Sequence, residues 1–145
     1  MPSGSSSFTE EELDYLNGER RLARIATVGK DGMPHVVPVG MWSYNAEFDV
    51  IDVTGMDFDQ TKKFRDVARS GRAAIVIDDM VKLDPAEVEK AGGWDSRPRG
   101  IEVRGDAEAL TEPQSIIRIH PRRIVSWGLE GAMQRNARTV KQAHR

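Results

Sequence analysis

Between Gly100 and Leu110 the chain alternates with a period of two. Ile101, Val103, Gly105 and Ala107 fall at one parity, and Glu102, Arg104, Asp106 and Glu108 at the other. That period marks a long strand with one buried and one wet face. The rest of the chain supplies partners for it. Leu22 to Val28 reads as a strand, Gly29-Lys30-Asp31-Gly32 as a turn on glycines that accept positive φ, and His35 to Trp42 as a valine-rich second strand. Pro34 and Pro38 lack a backbone donor, which predicts an unpaired edge or a bulge there. After Asn45-Ala46-Glu47, Phe48 to Thr54 completes a predicted three-stranded meander. Arg72 to Asp78 is an apolar strand, and Ser115 to His120 and Arg123 to Trp127 are two short strands around Pro121.

Helices are short and few. Thr9 with Glu12 forms a capping box ahead of Leu13 and Leu16, and Asn17-Gly18 predicts a left-handed stop. Phe64, Val67 and Ala68 share one face of a helix over Gln60 to Ser70, ended by Gly71. Pro85 opens a short helix through Lys90, closed by Gly92-Gly93. No repeat or linker divides the chain. The reading is therefore mainly β (α+β): six or seven antiparallel strands closed into a barrel with short helices. Residues 1–7 are expected to be a flexible leader, 8–129 the folded domain, and 130–145 a basic tail in a frayed helix.

Composition narrows the function. A hydrophobic share of 39% over 145 residues suits one globular domain. A net charge of -2 argues against bulk attraction to nucleic acid or an anionic membrane. With no cysteine there is no disulfide and no thiol chemistry, which fits a reducing cytoplasm. No apolar run nears the ~20 residues that span a bilayer.

The most suggestive polar cluster is Thr61-Lys62-Lys63-Phe64-Arg65. Free amides and the dipole at a helix start favour an anion, and a hydroxyl with three cations makes a phosphate grip. The ordinary alternative is a solvated helix face. His35, His120 and His144 lack ligand spacing, so no metal is expected. Ser126 has no evident base, and Asp57/Asp59 and Asp78-Asp79 read as solvated loop acids. Trp42, Trp94 and Trp127 lie near strand ends, where an indole covers a planar ligand or caps a barrel.

Taken in order, four stretches resemble one family. They are Asp31-Gly32-Met33-Pro34-His35-Val36-Val37-Pro38-Val39; Thr61 to Val67 followed by Arg72 to Asp79; Arg97-Pro98-Arg99-Gly100 to Glu108; and Ile119-His120-Pro121 to Gly128. Together they resemble the pyridoxamine 5′-phosphate oxidase-like split β-barrel family, of FMN-binding split-barrel type, and within it the subgroup described as F420-dependent. The likeness runs from Phe8 to Leu129; the stretch Asp84 to Gly93 is longer than the pattern and Leu110 to Ser115 shorter. It implies a homodimer with cofactor clefts between subunits. The cofactor phosphate would meet Thr61, Lys62 and Lys63, and the ring would lie along Val36, Pro38, Val39, Thr54 and Gly55. Trp94, Arg97 and Arg99 would touch ring or tail, and Trp127 would come from the partner subunit.

The implied activity is that of an oxidoreductase passing a hydride between coenzyme F420 and an electrophilic small molecule. FMN in the same fold is the alternative, as is a non-catalytic cofactor-binding protein, because a phosphate grip suits all three. Tyr44 and His35 are the nearby groups able to supply a proton, and neither is singled out.

Overall fold

The computed structural model describes residues 6–141. The expected leader lies outside this range except for Ser6 and Ser7, as does His144. Ser6 and Ser7 are tied down: Ser6 Oγ and the Ser7 amide both donate to the Asp49 carboxylate.

The elements run α1 (Glu10–Asn17), β1 (Ala23–Val28), β2 (Pro34–Val39), β3 (Met41–Asn45) and β4 (Val50–Thr54), then a 3₁₀ turn at Phe58–Gln60. They continue with α2 (Lys62–Ser70), β5 (Arg72–Lys82), α3 (Pro85–Lys90), β6 (Ser96–Leu110), β7 (Ile116–Trp127) and β8 (Arg135–Thr139). Every pairing is antiparallel, in the order β2-β1-β5-β6-β7-β4-β3, with β8 added to β7. The two outermost strands of that path, β2 and β3, follow one another in the chain through Gly40, so the sheet wraps into a split barrel. Ile25, Ile51, Ile75, Ile101, Ile119 and Ile124, each at most 1% exposed, fill it. The alternating stretch lies within β6, with Ile101, Val103 and Ala107 buried.

Four local expectations change. The stretch His35 to Trp42 is two strands, because the chain leaves β1 at Gly40 and pairs with β4 instead; β1 to β4 are two hairpins, not a meander. Arg20 holds this corner, donating to the carbonyls of Gly40 and Trp42 at 2.8 Å each. The last two strands are one, β7, because a register shift opposite Arg104/Gly105 absorbs the irregularity around Pro121. A side chain at Gly105 would stand 1.7 Å from the His120 carbonyl oxygen, so only glycine fits there. The tail is not a frayed helix: Arg135–Thr139 pair with β7 from Arg123 to Trp127. Finally, α1 does not end in a left-handed glycine, since Gly18 has φ -85°; Arg21 donates to the Tyr15 carbonyl and serves the helix end instead.

The Thr9–Glu12 capping box and the left-handed Gly71 (φ 70°) form as expected. Among the described residues no helix is long and apolar enough to cross a membrane.

Candidate cofactor site

The start of α2 is built by a side-chain cap. Thr61 Oγ1 accepts from the Phe64 amide and donates to the Phe58 carbonyl at 2.7 Å. The Arg65 amide donates to the Thr61 carbonyl, which leaves the Lys62 and Lys63 amides as the ones with no intrahelical acceptor.

The two lysines that follow differ in their surroundings. Lys62 Nζ is 2.9 Å from Asp66 Oδ2, and Asp66, 2% exposed, also accepts from Arg69 and from Thr27 Oγ1. Burial pushes the Asp66 carboxyl up, but these bonds outweigh it and hold it down at about 2. Lys62 is thus already committed to a carboxylate. Lys63 is not: half-buried, its ammonium stands 5.5 Å from the Phe58 ring centre and enters no ion pair among the described residues. Desolvation lowers its pKa. A partly desolvated cation without a counter-charge is what a phosphate oxygen fits. Arg65 turns back to the Gln60 carbonyl.

Phe58 joins this grip to β4. A side chain on Gly55 would meet the Phe58 ring at 3.2 Å, so the chain leaving β4 lies flat on the ring that Lys63 covers from elsewhere. Phe58 also packs edge-on against Phe64 at 5.7 Å. The fold therefore gathers Gly55, Thr61 and Lys63 around an aromatic residue that sequence reading did not single out; its one signal was an aromatic just ahead of a helix cap. Thr54, next to Gly55, spends its hydroxyl on the Ser115 carbonyl.

Strand β2 borders this region as a sheet edge paired only to β1, and Lys62 Nζ lies close to Gly29 at the start of the β1–β2 turn. Val36, 66% exposed, and Pro38 stand on the outer side of β2, where they offer a bare apolar strip. Val39 points the other way, into the core at 6% exposure. Tyr44 gives its hydroxyl to Asp49 at 2.6 Å.

The remaining four residues lie elsewhere. Trp94 is 74% exposed, beyond the far ends of β5 and β6. Arg97 donates to the Gly128 carbonyl, and Arg99 makes a forked pair with Asp79, which also receives the Tyr15 hydroxyl. The Arg99 bonds do most to hold the Asp79 carboxyl at about 2. Trp127 faces Gly100 across the β6–β7 ladder, and a methyl group on Gly100 would stand 2.8 Å from its ring. Four strand spacings separate β2 from β7 through β1, β5 and β6. Along the curved sheet that is about 19 Å.

A family model described as pyridoxamine 5′-phosphate oxidase matches residues 8–142. A 5a,11a-dehydrotetracycline/5a,11a-dehydrooxytetracycline reductase of Streptomyces rimosus is 39% identical over 133 residues, covering 86% of this chain and 85% of that one. Two solved structures share the fold. A conserved hypothetical protein of Mycobacterium tuberculosis superposes with a TM-score of 0.61 at 19% identity, over 83% of this chain and 84% of that one. An F420 reductase superposes with a TM-score of 0.52 at 21% identity, over 77% and 94%.

Proposed function

Because the chain belongs to the pyridoxamine 5′-phosphate oxidase family, we propose that it is an oxidoreductase that moves a hydride between coenzyme F420 and an electron-poor double bond of a small molecule. The observation that carries this reading is the 39% identity, over most of both chains, to a reductase. That relative is named for dehydro compounds, whose extra double bond is what a reductase removes. The choice of coenzyme F420 rests on the motif resemblance from Phe8 to Leu129.

The residues present fit such a cofactor. Lys63 is a half-buried cation that pairs with no carboxylate among the described residues, next to the Lys62 and Lys63 amides, and it would hold a phosphate with Thr61 and Lys62 beside it. The exposed strip of Val36 and Pro38 would back a flat ring. Gly55 lies against the Phe58 ring and so lets the chain leaving β4 pass close to the grip. Bound coenzyme F420 supplies the hydride; the protein's part is to bind, orient and exclude water.

The division of the expected contacts between the β2–α2 region and the β6–β7 region favours a homodimer, in which Trp127, and with it Trp94, Arg97 and Arg99, reach the cofactor of the partner subunit. A cytoplasmic setting belongs to the same reading.

The test is a titration of the purified protein with coenzyme F420 and with FMN, followed by tryptophan fluorescence, then oxidation of the reduced cofactor across a panel of electrophilic alkenes. Micromolar F420 binding with turnover is expected. A yellow protein with an FMN spectrum would move the assignment to FMN. Tight binding without turnover would make it a cofactor-binding protein.

A further inference from the structure

On the outside of the sheet, Ala26 of β1 and Ala74 of β5 sit side by side as a cross-strand pair. Their neighbours in the same row are exposed Val36 on β2 and Arg104 on β6. Two methyl-sized side chains between larger ones leave an open groove of about 420 Å³, which Val28 and Pro34 also line. That size suits a small molecule. Its floor is the plane of the strands; on the β2–β1 side the polar residue that lines it, Thr27, has its hydroxyl turned to Asp66.

The opposite side is cationic. Arg72, Arg104 and Arg122 all line the groove. Arg104 pairs with Glu102 at 3.4 Å and Arg122 with Asp106 at 3.2 Å, whereas Arg72 enters no ion pair among the described residues. Three guanidinium groups thus face two carboxylates, and one positive charge is left at one edge of a flat apolar bed. Arginine is also the cation best suited to lie against a planar, delocalised anion.

We propose that this groove binds a flat, fused-ring small molecule with negative charge at one edge, as the substrate of the reaction proposed above, on which the assignment rests. The ring system lies over Ala26 and Ala74 with its charged edge toward Arg72. The phosphate grip at Thr61, Lys62 and Lys63 does not line this groove, which adjoins the strip of Val36 and Pro38 proposed to back the cofactor ring.

The full-length protein is titrated with anthraquinone-2-sulfonate and with uncharged 2-(hydroxymethyl)anthraquinone. The sulfonate is expected to bind at least tenfold more tightly. Arg72→Gln with Arg104→Gln should erase that preference while leaving the neutral compound unaffected, and Ala74→Leu should weaken both by filling the floor. Equal affinity for the two probes, or a sulfonate affinity unchanged in the double arginine variant, overturns the proposal. With saturating coenzyme F420 the sulfonate should still bind; mutual displacement would mean that the groove is the cofactor's own bed and would also overturn it. Coenzyme F420 titrated alone separates the two readings. Its failure to bind removes the hydride-transfer reading, while the loss of sulfonate selectivity in the arginine variant tests the groove itself.

Discussion

The Glu12 carboxylate meets the Arg138 guanidinium at 2.7 Å, although 126 positions of chain separate them. Glu12 is 0% exposed and also accepts from Ser126 Oγ and the Thr9 amide, so first helix, seventh strand and eighth strand close on one carboxylate. Arg138→Ala leaves that buried charge without its main partner and should lower unfolding free energy by about 3 kcal/mol. Glu12→Gln should cost less, because the amide keeps some of the hydrogen bonds. Urea unfolding of both variants checks the order; equal, small losses would refute the latch.

Acid should loosen the fold through a specific set of carboxylates. Asp66 and Asp79 are each held at about 2 in the folded chain, below the value near 4 of an unfolded aspartate. Glu12 is also lowered, because its hydrogen bonds to Arg138, Ser126 and Thr9 outweigh the upward push of burial. The unfolded chain therefore binds protons first as pH falls. The stability from these groups is complete above about pH 5 and drains between about pH 4 and 2, Asp66 contributing on the order of 2 kcal/mol. A thermal midpoint that is flat from pH 7 to 5 and then falls is expected, with a shallower fall in Asp66→Asn. Superimposable curves for the two proteins would contradict this.

The two lysines at the start of α2 should separate by effect. Lys63→Ala should weaken binding of a phosphate-bearing cofactor by roughly 1–3 kcal/mol with little change in stability. Lys62→Ala should act mainly on the fold, by about 1 kcal/mol or less, since its exposed ammonium serves Asp66. Fluorescence titration and thermal melts of each variant resolve the two. Cofactor affinity unchanged in a Lys62→Ala, Lys63→Ala double variant would refute the grip.

Gly105→Ala should be among the most damaging single-methyl additions in the sheet. The added carbon would stand 1.7 Å from backbone oxygen of His120, which has no free rotation by which to yield. A loss of more than about 2 kcal/mol is expected in urea unfolding. Gly71→Ala, in open space and strained only by its φ of 70°, serves as the milder comparison.

A shared site makes a further prediction. If Lys63 of one copy and Trp127 of the other complete one cleft, Lys63→Ala and Trp127→Ala proteins should each lose activity. Unfolded together and refolded as a mixture, they should recover about a quarter of wild-type sites, because half the dimers are hybrids with one intact cleft. No recovery over the separate variants would argue that both residues act within one chain.

Much of this was legible in the sequence because it depends on neighbours. The Thr9–Glu12 box, the alternating part of β6 and the Gly71 stop each need only a few adjacent residues to be read. The tail was not legible: Arg135-Asn136-Ala137-Arg138-Thr139 has no apolar stripe of its own and becomes a strand only because β7 offers an open ladder. Gly40 gave no sign that it would send one apparent strand to two edges of the sheet, since the carbonyls that Arg20 gathers meet only after folding.

The sequence by itself determined an antiparallel, mostly β chain with short capped helices and a cationic helix start, because two-residue alternation, glycine turns and capping boxes act over a few residues. Tertiary structure decided which cation is free. Thr61, Lys62 and Lys63 read alike as a grip, but Asp66 is buried one turn on and draws in Lys62, Arg69 and Thr27, so that of the two lysines Lys63 is left without a carboxylate among the described residues. It also set Val36 and Trp127 four strands apart on one sheet. Such separations follow from the strand order, which local pattern does not encode, because each ladder is chosen by burial shared among segments distant in the chain.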